Sequence, residues 1–188
     1  KKGAVLWTEK NFRDFEVEFD FRFGEGTVDS GVHLRTQDQI QIGISGSLKR
    51  DMTCSPYIPG KGYPVEAKDV AKLLKAKDWN HVKIRAIGPK YTVWLQGKEV
   101  MNYESSSAKP EGPIGIQLHG NRNMGIDFKS LVLKELEARV PEELSHRAGH
   151  SILGEPADGK LGGHVEECLR GDGGHECAVQ MRACLIVV

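Results

Sequence analysis

Three short runs alternate strictly between apolar and polar residues: SGVHLR at 30–35, QIQIGI at 39–44 and IGIQLH at 114–119. In an extended chain successive side chains point to opposite faces, so each run has one apolar and one polar side. Val32, Leu34, Ile40, Ile42, Ile44, Ile114, Ile116 and Leu118 fall on the apolar side and are expected in a core. The other side carries His33, Arg35, Gln39, Gln41, Gln117 and His119. A merely solvated sheet face more often holds Lys, Glu and Thr. Imidazoles, a guanidinium and amides in their place mark a binding surface.

The same alternation extends along the chain. Residues 14–23 put Phe15, Val17, Phe19, Phe21 and Phe23 on one side, and residues 79–87, 91–95 and 99–103 read as a meander joined by turns at 88–90 and 96–98. A last long strand is expected over 124–136. A short helix is expected at 65–74, where Val70, Leu73 and Leu74 have helical spacing. Many evenly spaced strands with almost no helix predict an all-β, antiparallel jelly-roll sandwich.

Composition narrows the partners. The chain has 188 residues, of which 26 are Lys or Arg and 26 Asp or Glu. A balance of zero supplies no field to gather nucleic acid or an anionic membrane, and no run is long enough for a transmembrane helix. Neither nucleic acid nor membrane insertion is expected. The chain opens on KKGAVLWT, without the features of a signal peptide. Cys54 stands alone, while Cys168, Cys177 and Cys184 crowd the end and form no paired framework.

Two segments break the rhythm. Residues 44–64 are rich in Gly and Pro and too long for a hairpin; they read as a surface loop beside the polar face, either a lid or an excursion covering a sheet edge. From residue 137 alternation stops, so the expected division is a jelly-roll domain over 1–136 and an irregular or disordered tail over 137–188. His146, His150, His164, Cys168, His175, Cys177 and Cys184 invite a zinc reading of the tail, but their spacings fit no standard zinc pattern.

The motifs LWTE at 6–9, DSGVHLR at 29–35, SPYIPGKGYP at 55–64, DWN at 78–80, TVWLQG at 92–97 and GPIGIQLH at 112–119, in that order and spacing, resemble one family. It is the 3-keto-disaccharide hydrolase family, formerly a domain of unknown function, with a concanavalin A-like or laminin-G-like jelly roll. The resemblance covers about residues 3–136, and an earlier strand that the family places ahead of Leu6 is absent from this sequence. It implies a periplasmic or extracellular bacterial protein that cleaves glycosides or oligosaccharides already oxidised at C3, with a sugar oxidoreductase acting upstream.

The implied chemistry is elimination. A ketone at C3 acidifies the C2 hydrogen, the bond at C1 breaks, and water adds afterwards. That requires a base near C2, a donor to the keto oxygen, and an acid or a divalent cation for the leaving group. Carried over by position, Arg35, Gln41 and His119 are the catalytic candidates; Gln39 stands where the family's strand usually has Glu. His33, Gln39, Gln117 and Trp94 are substrate-binding candidates. Blander roles stay open: Arg35 pairing with Asp20 on a sheet surface, His119 as a turn residue, Trp7, Trp79 and Trp94 as packing. The alternative functions are a non-catalytic carbohydrate-binding module of a larger secreted protein and a structural domain.

Overall fold

The computed structural model describes residues 3–120, 123–136 and 177–179. Among these residues eleven strands, β1 (Ala4–Trp7), β2 (Phe15–Gly26), β3 (Asp29–Leu34), β4 (Asp38–Gly43), β5 (Pro56–Tyr57), β6 (Asn80–Ile87), β7 (Lys90–Leu95), β8 (Lys98–Glu104), β9 (Gly115–Leu118), β10 (Met124–Glu135) and β11 (Cys177–Val179), accompany one helical turn, α1 (Val70–Leu73). They form two sheets, ordered β1-β9-β3-β4-β5 and β11-β10-β2-β6-β7-β8. Every pairing is antiparallel. The expected jelly-roll sandwich is the fold.

Alternation places the core between the sheets. In β2, Phe15, Val17, Phe19 and Phe21 are buried while the residues between them are half-exposed. They meet Val82, Ile84 and Ala86 of β6 and Tyr91, Val93 and Leu95 of β7 within their own sheet, and Val32, Leu34, Ile40 and Ile42 from the other. Full burial of such side chains contributes about 1.5–3 kcal/mol each, so a slip of one residue in register is excluded energetically. Ile116 and Leu118 pack against this core half-buried, because β9 lies between β3 and the short outer strand β1.

The hairpins close as the turn residues dictate. Gln96 and Gly97 both have positive φ, 52° and 79°, which matches the type of two-residue turn that suits twisted strands. The helix expected over 65–74 shrinks to the single turn α1. So short a helix does not hold itself without packing, none of its residues is buried, and the backbone before it is tied elsewhere, Lys68 N–H to the Val100 carbonyl and Ala67 N–H to Ser55 Oγ.

Residues 44–64 take the second of the two expected forms, an excursion that covers a sheet edge. They carry β5, which pairs Tyr57 with Gln39 and Pro56 with Ile40, and they bury Met52, Cys54 and Ile58. Of the tail, Cys177–Val179 form β11 against Leu131–Leu133 of β10; the remaining tail, and with it the histidines and most cysteines considered for zinc, lies outside the described residues. Among the described residues no helix is long and apolar enough to cross a membrane.

Candidate functional site

The outer face of the first sheet is the polar face that the sequence pattern singled out. Register sets Gln41 beside Gly31, Gln39 beside His33, and Gln117 on the other flank of Gly31. Two glycines decide what fits between them. A Cβ on Gly31 would lie 2.1 Å from Gln39 Nε2, so only glycine lets the Gln39 amide cross β3 toward β9. A Cβ on Gly115 would lie 2.5 Å from the Trp7 ring, so glycine there lets Trp7 of β1 lie over β9.

Each gap is bridged. Across Gly31, Gln39 Nε2 donates to Gln117 Oε1 at 3.0 Å and to Gln41 Oε1 at 3.2 Å. Gln41 Nε2 in turn donates to Asp29 Oδ1 at 3.0 Å. Across Gly115, the Trp7 and His33 rings stand with centroids 5.2 Å apart and tilted. Gln39, Gln41 and Asp29 are buried, which is tolerable for such polar groups only because they bond one another. His33 is half-buried; its Nδ1 has no hydrogen-bond partner of ordinary geometry, and burial pushes the imidazole pKa down against a smaller upward pull from the Gln37 backbone.

The far edge of the face is aromatic again. Tyr57 and Tyr63 contact edge-on at 5.3 Å between centroids. Burial raises the Tyr63 pKa, its bond with Ser45 opposes this, and the nearby Asp29 charge adds to the rise. At the β9 end, the His119 N–H donates to the Asp29 carbonyl at 3.2 Å, which carries the strand register one residue past Leu118. His119 is exposed, and its ring Nδ1 lies 3.0 Å from the Gly120 carbonyl.

Two expected positions need correction. Arg35 does not share this face. Parity holds only while the chain stays extended, and Arg35 is the first residue past β3, in the left-handed region at φ 52°. Its side chain turns into the protein and is fully buried. There Nε donates to the Arg13 carbonyl at 2.6 Å, Nη1 to the Gly88 carbonyl at 2.7 Å, and Nη2 pairs with Asp14 at 3.4 Å. Nor is the acid partner Asp20, which meets His81. The guanidinium thus pins the β3–β4 turn to the β6–β7 hairpin.

Trp94 is also elsewhere, on the outer face of the second sheet, with Lys83 and Arg85 over its ring at 4.8 and 5.3 Å. The tryptophan on the polar face is Trp7. Conversely, sequence reasoning missed Asp29. Extending the alternation of residues 30–35 one step back gives it the parity of Gly31 and His33, a signal that was present.

The donor set is thus one carboxylate, three amides, two imidazoles and aromatic rings at both ends. Among the described residues no group of three or more His, Cys, Asp or Glu is arranged to hold a metal ion. These residues do not fit a divalent cation, and no step is assigned to one.

The fold is that of an antiparallel jelly-roll sandwich domain. The chain belongs to the family described as the 3-keto-alpha-glucoside-1,2-lyase-like domain, whose profile matches residues 1–134. No curated protein matches it in sequence. Among solved structures it is similar to a putative glycosyl hydrolase from Parabacteroides distasonis, at 22% identity over 72% of this chain and 84% of that one, TM-score 0.50. A second putative glycosyl hydrolase from the same organism matches at 16% identity over 68% and 74% of the two chains, TM-score 0.51. The carbohydrate-binding module CBM66 from Bacillus subtilis matches at 14% identity over 70% and 81%, TM-score 0.51. At such identities these likenesses establish the fold alone.

Proposed function

We propose that the outer face of the first sheet binds a glycoside oxidised to a ketone at C3 and breaks its glycosidic bond by elimination. The observation that carries this reading is the bonded floor of Asp29, Gln41, Gln39 and Gln117 between Trp7 and Tyr57, in a chain of this family. Removal of the C2 proton places its electron pair in an enolate on C3. Collapse of the enolate forms the C1=C2 bond and breaks C1–O, and the departing oxygen takes up a proton. Water can then add at C1. The chain's own residues need to orient the ring, hold the keto oxygen and move one proton.

His119 is assigned the proton, since its imidazole is exposed at the rim beside the strand that carries Gln117. Trp7 is assigned to the sugar ring, because an aromatic face covers the apolar side of a pyranose. An ordinary glycosidase would set two carboxyl groups about 5–10 Å apart across the scissile bond. Here Asp29 is held by Gln41 as part of the floor, which favours proton abstraction next to a ketone instead. The ketone itself has to come from a sugar oxidoreductase acting earlier.

Incubation with the 3-keto and the unoxidised forms of one glycoside tests the reading. Turnover of the keto form alone is expected, with His119→Ala lowering kcat about 100-fold. Cleavage of the unoxidised form would overturn it. Retention of both forms without products would instead favour a sugar-binding module, a reading supported by the presence of Trp7 on the face and by the fold shared with CBM66.

A further inference from the structure

An amide can present either its oxygen or its nitrogen, but a carboxylate can only accept. That asymmetry fixes the direction of the whole chain on the polar face. Asp29 Oδ1 is 3.0 Å from Gln41, so Gln41 must offer Nε2 there; its second hydrogen meets the Ile44 carbonyl at 3.4 Å, another group that only accepts. Gln41 is therefore left with Oε1 toward Gln39. Gln39 must then offer Nε2, whose two hydrogens go to Gln41 and Gln117, and the Ser30 carbonyl at 3.4 Å shares one of them and holds the amide the same way round. The Gln39 nitrogen meets Gln117 at Oε1, 3.0 Å away. Gln117 has one group left, its Nε2, and Gln117 is only half-buried.

We infer that Asp29, acting through Gln41 and Gln39, commits Gln117 Nε2 as a donor on the binding face, and that this makes Gln117 the residue that selects a carbonyl oxygen over a hydroxyl. A hydroxyl both donates and accepts and adapts to either end of an amide; a ketone only accepts and needs a donor in place beforehand. Asp29 is a positioning residue in this arrangement and Gln117 touches the substrate. The glycine at 31 is part of the device, since the amide of Gln39 crosses the strand where a side chain would stand. The choice of a ketone rests on the proposed function above; the fixed direction of the amides does not.

Gln117→Glu is the test, because the carboxylate still accepts from Gln39 and replaces only the committed donor by an acceptor. In a His119→Ala background, which slows turnover about 100-fold so that binding can be read before product forms, affinity for the 3-keto form at pH 8 should fall about 10-fold or more, while the hydroxyl form changes less than about 2-fold. Asp29→Asn, whose amide can present either end, should shrink the keto preference, read as the ratio of the two affinities. Equal losses for both sugars in Gln117→Glu, or none, would overturn the inference while leaving the carbohydrate reading intact. Side-chain amide exchange by NMR in the free protein gives a readout without sugar: protected Gln39 and Gln41 NH2 groups and a freely exchanging Gln117 are expected. A protected Gln117 NH2 would overturn the fixed direction outright. If neither sugar form binds, the ketone falls with the carbohydrate reading even where the exchange pattern holds.

Discussion

On the outer face of the second sheet, charges meet their opposites strand by strand. Glu16 lies beside Arg85, Glu18 beside Lys83, Asp20 beside His81 and Asp127 beside Arg22. Trp79 lies under Arg22 and Lys129, at 4.8 and 4.1 Å, and Trp94 under Lys83 and Arg85. The outer face of the first sheet has the same alternation and a different economy: one carboxylate, neutral amides and few ions. Water screens the first arrangement, which therefore tolerates change. The second bonds polar groups to one another with little exposure, so Gln41 and Gln39 are oriented within the chain and Gln117 stands at its end. A face saturated within itself is a surface; a face with a directed end is the candidate site.

The largest expected effect separates both faces from the end of the sandwich where Arg35 sits. Arg35→Met removes a fully buried guanidinium and leaves the partly buried Arg13 and Gly88 carbonyls without their donor. The loss should be about 3 kcal/mol in urea unfolding, in the range for breaking a buried ionic and hydrogen-bonded group. The folded fraction should keep its sugar affinity. A variant of full stability with lost activity would return Arg35 to the polar face and break the comparison.

Gly31→Ala comes next and bears on the site more than on the fold. The new Cβ meets Gln39 Nε2 at 2.1 Å and Cδ at 2.7 Å, and a flexible side chain can move away. Stability should fall by about 1 kcal/mol, whereas sugar affinity or turnover should drop about 10-fold, as expected when a bonded amide is displaced. Intact function in this variant would mean that the amide chain is not the floor of the site.

These cases also mark what was legible in the sequence. Alternation is local, so it gave the strands, the apolar side and the membership of Gln39, Gln41, Gln117 and His33 in one polar face. Arg35 escaped because a single residue at positive φ ends the parity argument, and nothing in LRTQD announces which residue turns. Trp94 escaped for a different reason. Parity tells which side of its own strand a residue occupies, not which sheet the strand joins, and that depends on pairing between distant segments. Trp7 reaches the face because β1 pairs with β9, more than a hundred residues away. The helix over 65–74 shrank because packing, not spacing, decides whether two or three turns persist.

His33 sharpens the comparison through pH. Burial lowers its folded pKa from the ordinary 6.5, so the native state favours the neutral ring. The stability it contributes is fully present above the unfolded value and is lost as pH falls below about 6.5, where the unfolded chain takes up a proton more readily than the native one. His33→Gln should remove that part of the acid slope, and the stability gap between wild type and variant should narrow from pH 7.5 to pH 5.5. A gap that widens toward acid would mean that protonated His33 has a carboxylate partner, as His81 has in Asp20 on the opposite sheet.

The smallest expected effect belongs to that opposite sheet. Glu18 lies 3.9 Å from Lys83 and 3.7 Å from the His81 ring, with 39% of its side chain exposed. Exposed pairs of this kind contribute about 0–1 kcal/mol, because solvent and salt screen them and two long side chains lose freedom to meet. Glu18→Gln keeps the shape and removes the charge, so urea unfolding should shift by about 0.5 kcal/mol or less at low salt and by nothing measurable at about 1 M salt, where the screening length is about 3 Å. Sugar affinity should not respond at all, since the residue is on the far side of the sandwich from Gln117. Altered affinity in this variant would place a second contact surface among the cations around Trp94 and would end the division of the molecule into one saturated face and one directed one.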